Sequence, residues 1–366
     1  MKLSRYARLT GVAVVGVLAL AACGTDTNTG TTPQAGGTSP AAGGGCATGS
    51  ISGAGSTFQQ PMQQQWISQY AGRCSGAQVN YQGVGSGAGI QQFAAGTIDF
   101  GGSDVLMKAD QQSKADARCG GQAIHIPVSA GGVAVTYNLD GVSRLQLSAG
   151  SIAGIFSGAI KQWDDAKIKA DNPGVTLPST PITVYYRSDA SGTTQVFTEY
   201  LTATAKDTWT AGSGTTVKWA AGQGAKGSDG VVAGVKQTKG GVTYTEQSYA
   251  LQNKLPTALV QNAGSYVALD AKTVSTALDS IKFVGSGNDL KAQINYTPSS
   301  PTAYPISTVT YVIVCTKYAD AAKGKLVKSF LQYAVRDGQQ FATKLGYAPL
   351  PGAVADKVKA AVDSIS

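Results

Sequence analysis

Pro181-Ile182-Thr183-Val184-Tyr185-Tyr186, followed by Arg187-Ser188-Asp189-Ala190-Ser191-Gly192-Thr193, is the stretch on which the fold turns. The first six residues are rich in β-branched and aromatic side chains and read as a strand. Beyond the next seven, Val196, Phe197, Tyr200 and Leu201 recur at helical spacing. The seven residues between therefore sit where a strand hands over to a helix N-terminus. Free backbone N–H groups at such an end point outward with the positive end of the helix dipole, so an oxyanion is a natural guest. Ser191 and Thr193 add hydroxyl donors, and Arg187 adds a charged fork of N–H groups. Asp189, two residues on, is placed to hold that guanidinium by a charge-assisted bond. The same residues also suit a capped helix carrying a surface ion pair, so the neighbouring stretches must decide.

Three of those stretches repeat the pattern. Ile51-Ser52-Gly53-Ala54-Gly55-Ser56-Thr57-Phe58 runs from a short strand into a segment where Phe58, Met62, Trp66 and Tyr70 recur every fourth residue, with Pro61 tolerated in the first turn. Val79-Asn80-Tyr81-Gln82-Gly83 reads as a strand, and Val84-Gly85-Ser86-Gly87-Ala88-Gly89 as the turn that puts Ser86 at a helix start before Ile90 and Phe93. Thr97-Ile98-Asp99-Phe100-Gly101-Gly102 leads to Ser103-Asp104, with a polar helix from Lys108 to Arg118. Strand, Gly/Ser/Thr turn, helix is the βαβ pattern of a doubly wound α/β sheet, whose ligands bind beyond the carboxyl ends of the strands. Four such turns meeting at one crevice make a neutral, donor-rich cage. The Gly85–Gly89 segment does not meet GxGxxG spacing and lacks the acidic residue of a dinucleotide site, and no GxxxxGK[ST] phosphate loop occurs.

Lys2, Arg5 and Arg8 precede an apolar run from Val12 to Leu20, and Leu20-Ala21-Ala22-Cys23 ends the segment on a cysteine. That ending resembles a bacterial lipobox, which implies a signal peptide over 1–22 and a lipid on Cys23; an ordinary signal peptide with an incidental cysteine is the alternative. Residues 23–45 carry one charge, Asp26, and no large apolar side chain, as befits a flexible leash. The rest of the chain, about 320 residues, exceeds what one hydrophobic core organises, so two lobes are expected. The formal charge of +8 falls to +5 without the three basic residues of the signal segment, and the remaining Lys and Arg are scattered. This argues against a nucleic-acid partner and suits the attraction of small anions. His125, the one histidine, lies in the alternating pattern Ala123–Val128 and reads as structural. Cys46, Cys74, Cys119 and Cys315 are an even set without CxxC spacing in an exported chain, which points to two disulfides with three connectivities open.

At these residues the chain resembles the extracytoplasmic phosphate-binding proteins of bacterial ABC phosphate importers, the Pst-type family. The resemblance runs in order through Gly53–Phe58, Asn80–Ser86, Asp99–Asp104, Ile160-Lys161-Gln162-Trp163-Asp164-Asp165, Arg187–Thr193, Gly224-Ala225-Lys226-Gly227-Ser228-Asp229-Gly230 and Tyr304-Pro305-Ile306. It implies a two-lobed α/β fold of the periplasmic-binding-protein type II kind, each lobe a mostly parallel sheet with flanking helices, joined by two hinge crossings. Lobe I would comprise 46–130 plus 306–366, and lobe II 131–305. Inorganic phosphate would be gripped by the Thr57 hydroxyl and backbone, the Phe58 N–H, Ser86, Asp104, Arg187, Ser191, the Gly192 N–H and Thr193, with Asp189 orienting the arginine. No cofactor, metal or catalysis is implied. The implied partners are permease subunits with a cytoplasmic ATPase and the outer face of the cytoplasmic membrane, through the lipid on Cys23, with the protein a monomer. In the family fold a strand over Ile306–Cys315 returns antiparallel between the third strand and the one after Cys119, which implies Cys119–Cys315; Cys46 and Cys74 precede adjacent parallel strands, which implies Cys46–Cys74.

Asp104 needs a chemical reason, because a carboxylate repels a dianion. Phosphate near neutral pH still carries a proton, and an ionised carboxylate accepts that P–OH. Sulfate offers none, which sets two acceptors face to face in a dehydrated site. Asp104 as a simple helix N-cap is the plainer alternative. The same fold holding sulfate, molybdate or arsenate is a further reading, as is a surface antigen or adhesin. A secreted phosphatase or hydrolase using Ser191 or Ser86 lacks a plausible partner histidine and a carboxylate cluster for metals.

Overall fold

In the computed structural model, which describes residues 45–279 and 281–366, three strand-to-helix units come first. They are β1 (Gly49–Gly55) with α1 (Gln60–Arg73), β2 (Ala77–Gly83) with α2 (Ser86–Ala94), and β3 (Phe100–Ser103) with α3 (Ala109–Cys119). A long strand β4 (Ala123–Tyr137) follows, then β5 (Gln146–Leu147), α4 (Ala149–Phe156) and α5 (Ala166–Asp171). Next come β6 (Thr183–Arg187), α6 (Gly192–Thr204), β7 (Gln223–Ala225), α7 (Gly227–Gln237), β8 (Gly241–Glu246) and α8 (Gln247–Asn253). The chain continues through β9 (Leu259–Asn262), β10 (Ser265–Val267), α9 (Ala271–Leu278), β11 (Lys282–Phe283) and β12 (Ala292–Gln293), and closes with β13 (Ser307–Cys315), α10 (Ala321–Val335) and α11 (Gly352–Asp363). The signal segment, Cys23 and the leash up to residue 44 lie outside the described residues.

Eight strands hydrogen-bond in the order β2-β1-β3-β13-β4-β8-β6-β7. At one end β1 runs parallel to β2 and β3, and at the other β6 runs parallel to β7 and β8. Each parallel neighbour needs a crossover, which the intervening helices supply. β4 belongs to both halves: Ala123 to Gly132 pair antiparallel with β13, and Val133 to Tyr137 pair antiparallel with β8. β13 returns between β3 and β4, and the Val133 N–H donates to the Ile306 carbonyl at 2.8 Å where the chain re-enters the first half. The result is two α/β lobes joined through β4 and the approach to β13.

Two local expectations change. The pattern Ala123–Val128 suggests one buried and one open face, yet every residue of β4 is buried. Sheet position decides this, because a central strand with helices on both faces has no solvent side. Asp104 sits in a loop rather than at a helix start: α3 begins at Ala109 behind Lys108. Ser103 Oγ accepts the Val105 N–H at 3.1 Å, a side-chain turn that competes with helix initiation there. Elsewhere the helices start as read. Pro61 occupies the first turn of α1, with Met62, Trp66 and Tyr70 buried, and Ser191 Oγ caps α6 by accepting the Thr194 N–H at 3.2 Å. His125 is buried, its Nδ1 2.8 Å from Asp289 Oδ1 while Nε2 accepts the Met107 N–H at 3.1 Å. Burial pushes its pKa down against the pull of Asp289.

Cys46 bonds Cys74 and Cys119 bonds Cys315, the pairs that the family fold implies. The second closes a separation of 196 residues and the first one of 28. In the chain-entropy account these correspond to about 5 and about 3.5 kcal/mol. Replacing Cys119 and Cys315 by Ser is therefore expected to lower the urea midpoint more than replacing Cys46 and Cys74, and equal losses would contradict that account.

Candidate functional site

β6 ends at Arg187, and the following turn feeds α6. Arg187 is 4% exposed, and its guanidinium makes four hydrogen bonds to side chains. Nε and one terminal N–H donate to the two oxygens of Asp189 at 2.8 and 2.5 Å, and the other terminal nitrogen donates to Thr57 Oγ1 at 3.0 Å and Ser228 Oγ at 3.1 Å. The Gly227 N–H, at the start of α7, also reaches Asp189 Oδ1 at 3.0 Å. Burial by itself raises the Asp189 carboxyl, but the bonded guanidinium overrides it and holds it below the usual range. Burial likewise works against the charge on Arg187, and Asp189 more than restores it.

Asp104 lies in the loop after β3, beside Gly192 at the N-terminus of α6, and is bonded by hydroxyls. Ser56 Oγ donates to Oδ1 at 2.5 Å, Thr310 Oγ1 to the same oxygen at 2.7 Å, and Ser86 Oγ to Oδ2 at 3.1 Å. Ser86 Oγ also accepts the Asp104 N–H at 3.2 Å, and Ser56 Oγ accepts the Phe58 N–H at 2.9 Å. Burial pushes the Asp104 carboxyl up to about 6, the three hydroxyls pull it down, and Glu246 adds to the rise.

The two halves meet at these groups. Thr57 Oγ1 lies 2.8 Å from Ser228 Oγ, the Gly87 N–H donates to the Ala190 carbonyl at 3.0 Å, and Tyr249 Oη donates to the Thr57 carbonyl at 3.0 Å. A Cβ on Gly192 would stand 2.4 Å from Ser86 Oγ and 2.6 Å from Asp104 Oδ2. Only a glycine lets the α6 N-terminus come this close. Gly85 is held at φ +89°, and a Cβ there would stand 2.5 Å from Asp189 Oδ2. Thr193 Oγ1 donates to Glu246 Oε1 at 2.5 Å. The expected group of Thr57, Phe58, Ser86, Asp104, Arg187, Asp189, Ser191, Gly192 and Thr193 thus gathers around one contact between the lobes, and Cys23 lies outside the described residues.

A model of the PBP superfamily domain matches residues 40–337. The chain is 40% identical to the phosphate-binding protein PstS 3 of Mycobacterium tuberculosis over 382 aligned residues, and 38% identical to that of Mycobacterium leprae over 375, with both partners covered completely. It belongs to the PstS family of the PBP superfamily. A phosphate-binding protein PstS of Xylella fastidiosa is 37% identical over 85% of the chain. Among solved structures, the phosphate-bound periplasmic protein PfluDING matches with a TM-score of 0.71 at 26% identity, over 85% of this chain and 93% of its own.

This PstS-family chain also brings in residues that the sequence reading passed over. Ser56 stands in a Gly/Ser turn already read as strand-turn-helix, and Ser228 in the Gly224–Gly230 motif that carries the family resemblance. Thr310 arrives on β13, and Glu246 ends β8 directly ahead of α8, where no Gly/Ser turn flags it. With Asp104, Asp189, Glu246 and Arg187 present, the crevice is charged rather than neutral. Among the described residues no group of three or more His, Cys, Asp or Glu is placed to hold a metal ion.

Asp104 yields a test of its own. A carboxyl raised from 3.8 to about 6 favours the fold below about pH 4 and loses that contribution as the pH climbs through 6, a change of about 3 kcal/mol. Asp104→Asn has no charge to bury. In urea titrations of ligand-stripped protein, the variant is expected to gain on wild type by about that amount between about pH 4 and about pH 8. A difference independent of pH would contradict the burial of an ionisable Asp104.

Proposed function

We propose that the chain binds inorganic phosphate between its lobes and delivers it to the permease of an ABC importer, without performing chemistry. The observation that carries this reading is that Asp104, a buried carboxylate bonded by hydroxyls, stands against the α6 N-terminus, while the buried Arg187 reaches Thr57 from the other half. The cation, the helix end and the hydroxyls suit an oxyanion. Asp104 suits one that still carries a proton. Thr57, Phe58, Ser86, Arg187, Ser191, Gly192 and Thr193 are the proposed phosphate ligands, Asp104 the acceptor of the P–OH, and Asp189 the residue that orients Arg187. Lobe I, 46–130 with 306–366, closes on lobe II, 131–305, about the crossings in β4 and before β13, in the manner of hinge-bending binding proteins.

Relatives named phosphate-binding proteins, and PfluDING solved with phosphate, support this choice of anion. The serines offer little for hydrolysis: Ser191 Oγ caps α6, Ser86 Oγ serves Asp104, and His125 is committed to Asp289 and Met107. Delivery from the outer face of the cytoplasmic membrane, as a monomer tethered through a lipid on Cys23, completes the proposal. No helix among the described residues is long and apolar enough to cross a membrane.

Calorimetric titration of phosphate-stripped protein with phosphate and sulfate tests the reading. Wild type is expected to favour phosphate by at least about 100-fold, since an unpaired acceptor in a dehydrated site costs about 3 kcal/mol or more. Asp104→Asn is expected to narrow that ratio. Equal affinities in wild type, or no phosphate binding, would overturn it. A separate expectation concerns closure: Gly192→Ala weakens phosphate binding by about 10-fold or more while the unfolding midpoint of the stripped protein stays near wild type.

A further inference from the structure

Glu246 is a carboxylate to which the foregoing reading gives no task. It is 1% exposed, ends β8, and pairs with Val133 at the point where β4 passes from one lobe to the other. Its Oε1 accepts the Thr193 hydroxyl at 2.5 Å and its Oε2 the Thr245 hydroxyl at 3.2 Å. A hydroxyl has one proton to donate. While that proton goes to Glu246, Thr193 turns only lone pairs toward the crevice, so it acts there as an acceptor although it stands in the first turn of α6. The charged and titratable groups that face Glu246 are Asp104 from the loop after β3, Arg187 with its partner Asp189 from the end of β6, Tyr249 of α8, and Tyr347. Burial keeps both tyrosines protonated, since it raises each above its ordinary value. Asp189 and Glu246 then both act on the one guanidinium, and Asp104 adds a third carboxylate on the side of Glu246, an environment in which a monoanion is held more easily than a dianion.

We propose that Glu246, acting through Thr193, makes this site select the doubly protonated anion H2PO4−, one P–OH donating to Asp104 and the other to Thr193 Oγ1. The inference rests on the phosphate-binding reading above. Above the second ionisation of phosphate the bulk species is HPO4 2−, and binding then takes one proton from solvent, HPO4 2− plus H+ giving H2PO4−. Glu246 is a positioning residue, because it works through the Thr193 hydroxyl.

The test is calorimetric titration of the phosphate-stripped full chain with inorganic phosphate at about pH 8, in buffers of different ionisation enthalpy, which reads the protons taken up per phosphate bound. Wild type is expected to take up about one proton; Glu246→Gln and Thr193→Val are expected to take up about none, and the double variant no less than either single one. Wild-type affinity is expected to fall about 10-fold per pH unit above that ionisation, and Glu246→Gln to follow a flatter profile. Absence of uptake in wild type, or unchanged uptake in Glu246→Gln, overturns the inference. Uptake that disappears in Asp104→Asn and persists in Glu246→Gln overturns it too, by placing the proton on Asp104. Should Glu246→Gln fail to fold, Thr193→Val with wild type decides. Absence of any phosphate binding in wild type would instead refute the parent reading.

Discussion

A carboxylate buried among hydroxyls is the constraint from which the rest of the architecture follows. Asp104 takes its three side-chain bonds from Ser56, Thr310 and Ser86, and these come from three different chain segments. Ser56 follows β1, Ser86 opens α2, and Thr310 lies on β13, 206 residues away from Asp104 in sequence. Only a sheet in which β3 lies between β1 and a returning β13 brings them to one point. Burial works against the ionised form, and the hydroxyls offset part of that effect without supplying a counter-charge. The arrangement thus keeps a proton acceptor poised without consuming it in an ion pair, whereas Asp189 spends both oxygens on Arg187.

Much of this is visible in local sequence because the fold reuses one local device. A β-branched run, a glycine-rich turn and an amphipathic helix each leave a signal within a dozen residues, so the starts of α1, α2 and α6 are legible from Phe58, Ile90 and Val196 onward. What escapes is whatever depends on sheet position. The alternation in Ala123–Val128 carries no information about exposure once β4 becomes a central strand covered on both faces. Thr310 resembles any threonine of a buried strand, and its function is assigned by a register that pairs β13 with β3 and β4 at once. Glu246 is hidden for a different reason: it ends a strand that passes into a helix without the glycines that mark the other turns.

The glycines at the lobe contact have a more specific use than general flexibility. Gly192 removes a side chain that would collide with both Ser86 and Asp104, and Gly85 adopts a backbone geometry that L side chains rarely reach while clearing Asp189. The backbone at the start of α6 therefore comes close to Ser86 and Asp104, while Arg187 and Tyr249 reach Thr57 with long side chains.

The Cys119–Cys315 bond ties the end of α3 to the end of β13, with Cα atoms 5.4 Å apart. The chain from β4 to β13 lies between those two cysteines, so topologically it is a loop hung from a covalent clasp. A protease cut in any surface turn of that loop leaves both fragments attached to the first lobe. Extracellular cleavage there would nick the protein without releasing a lobe.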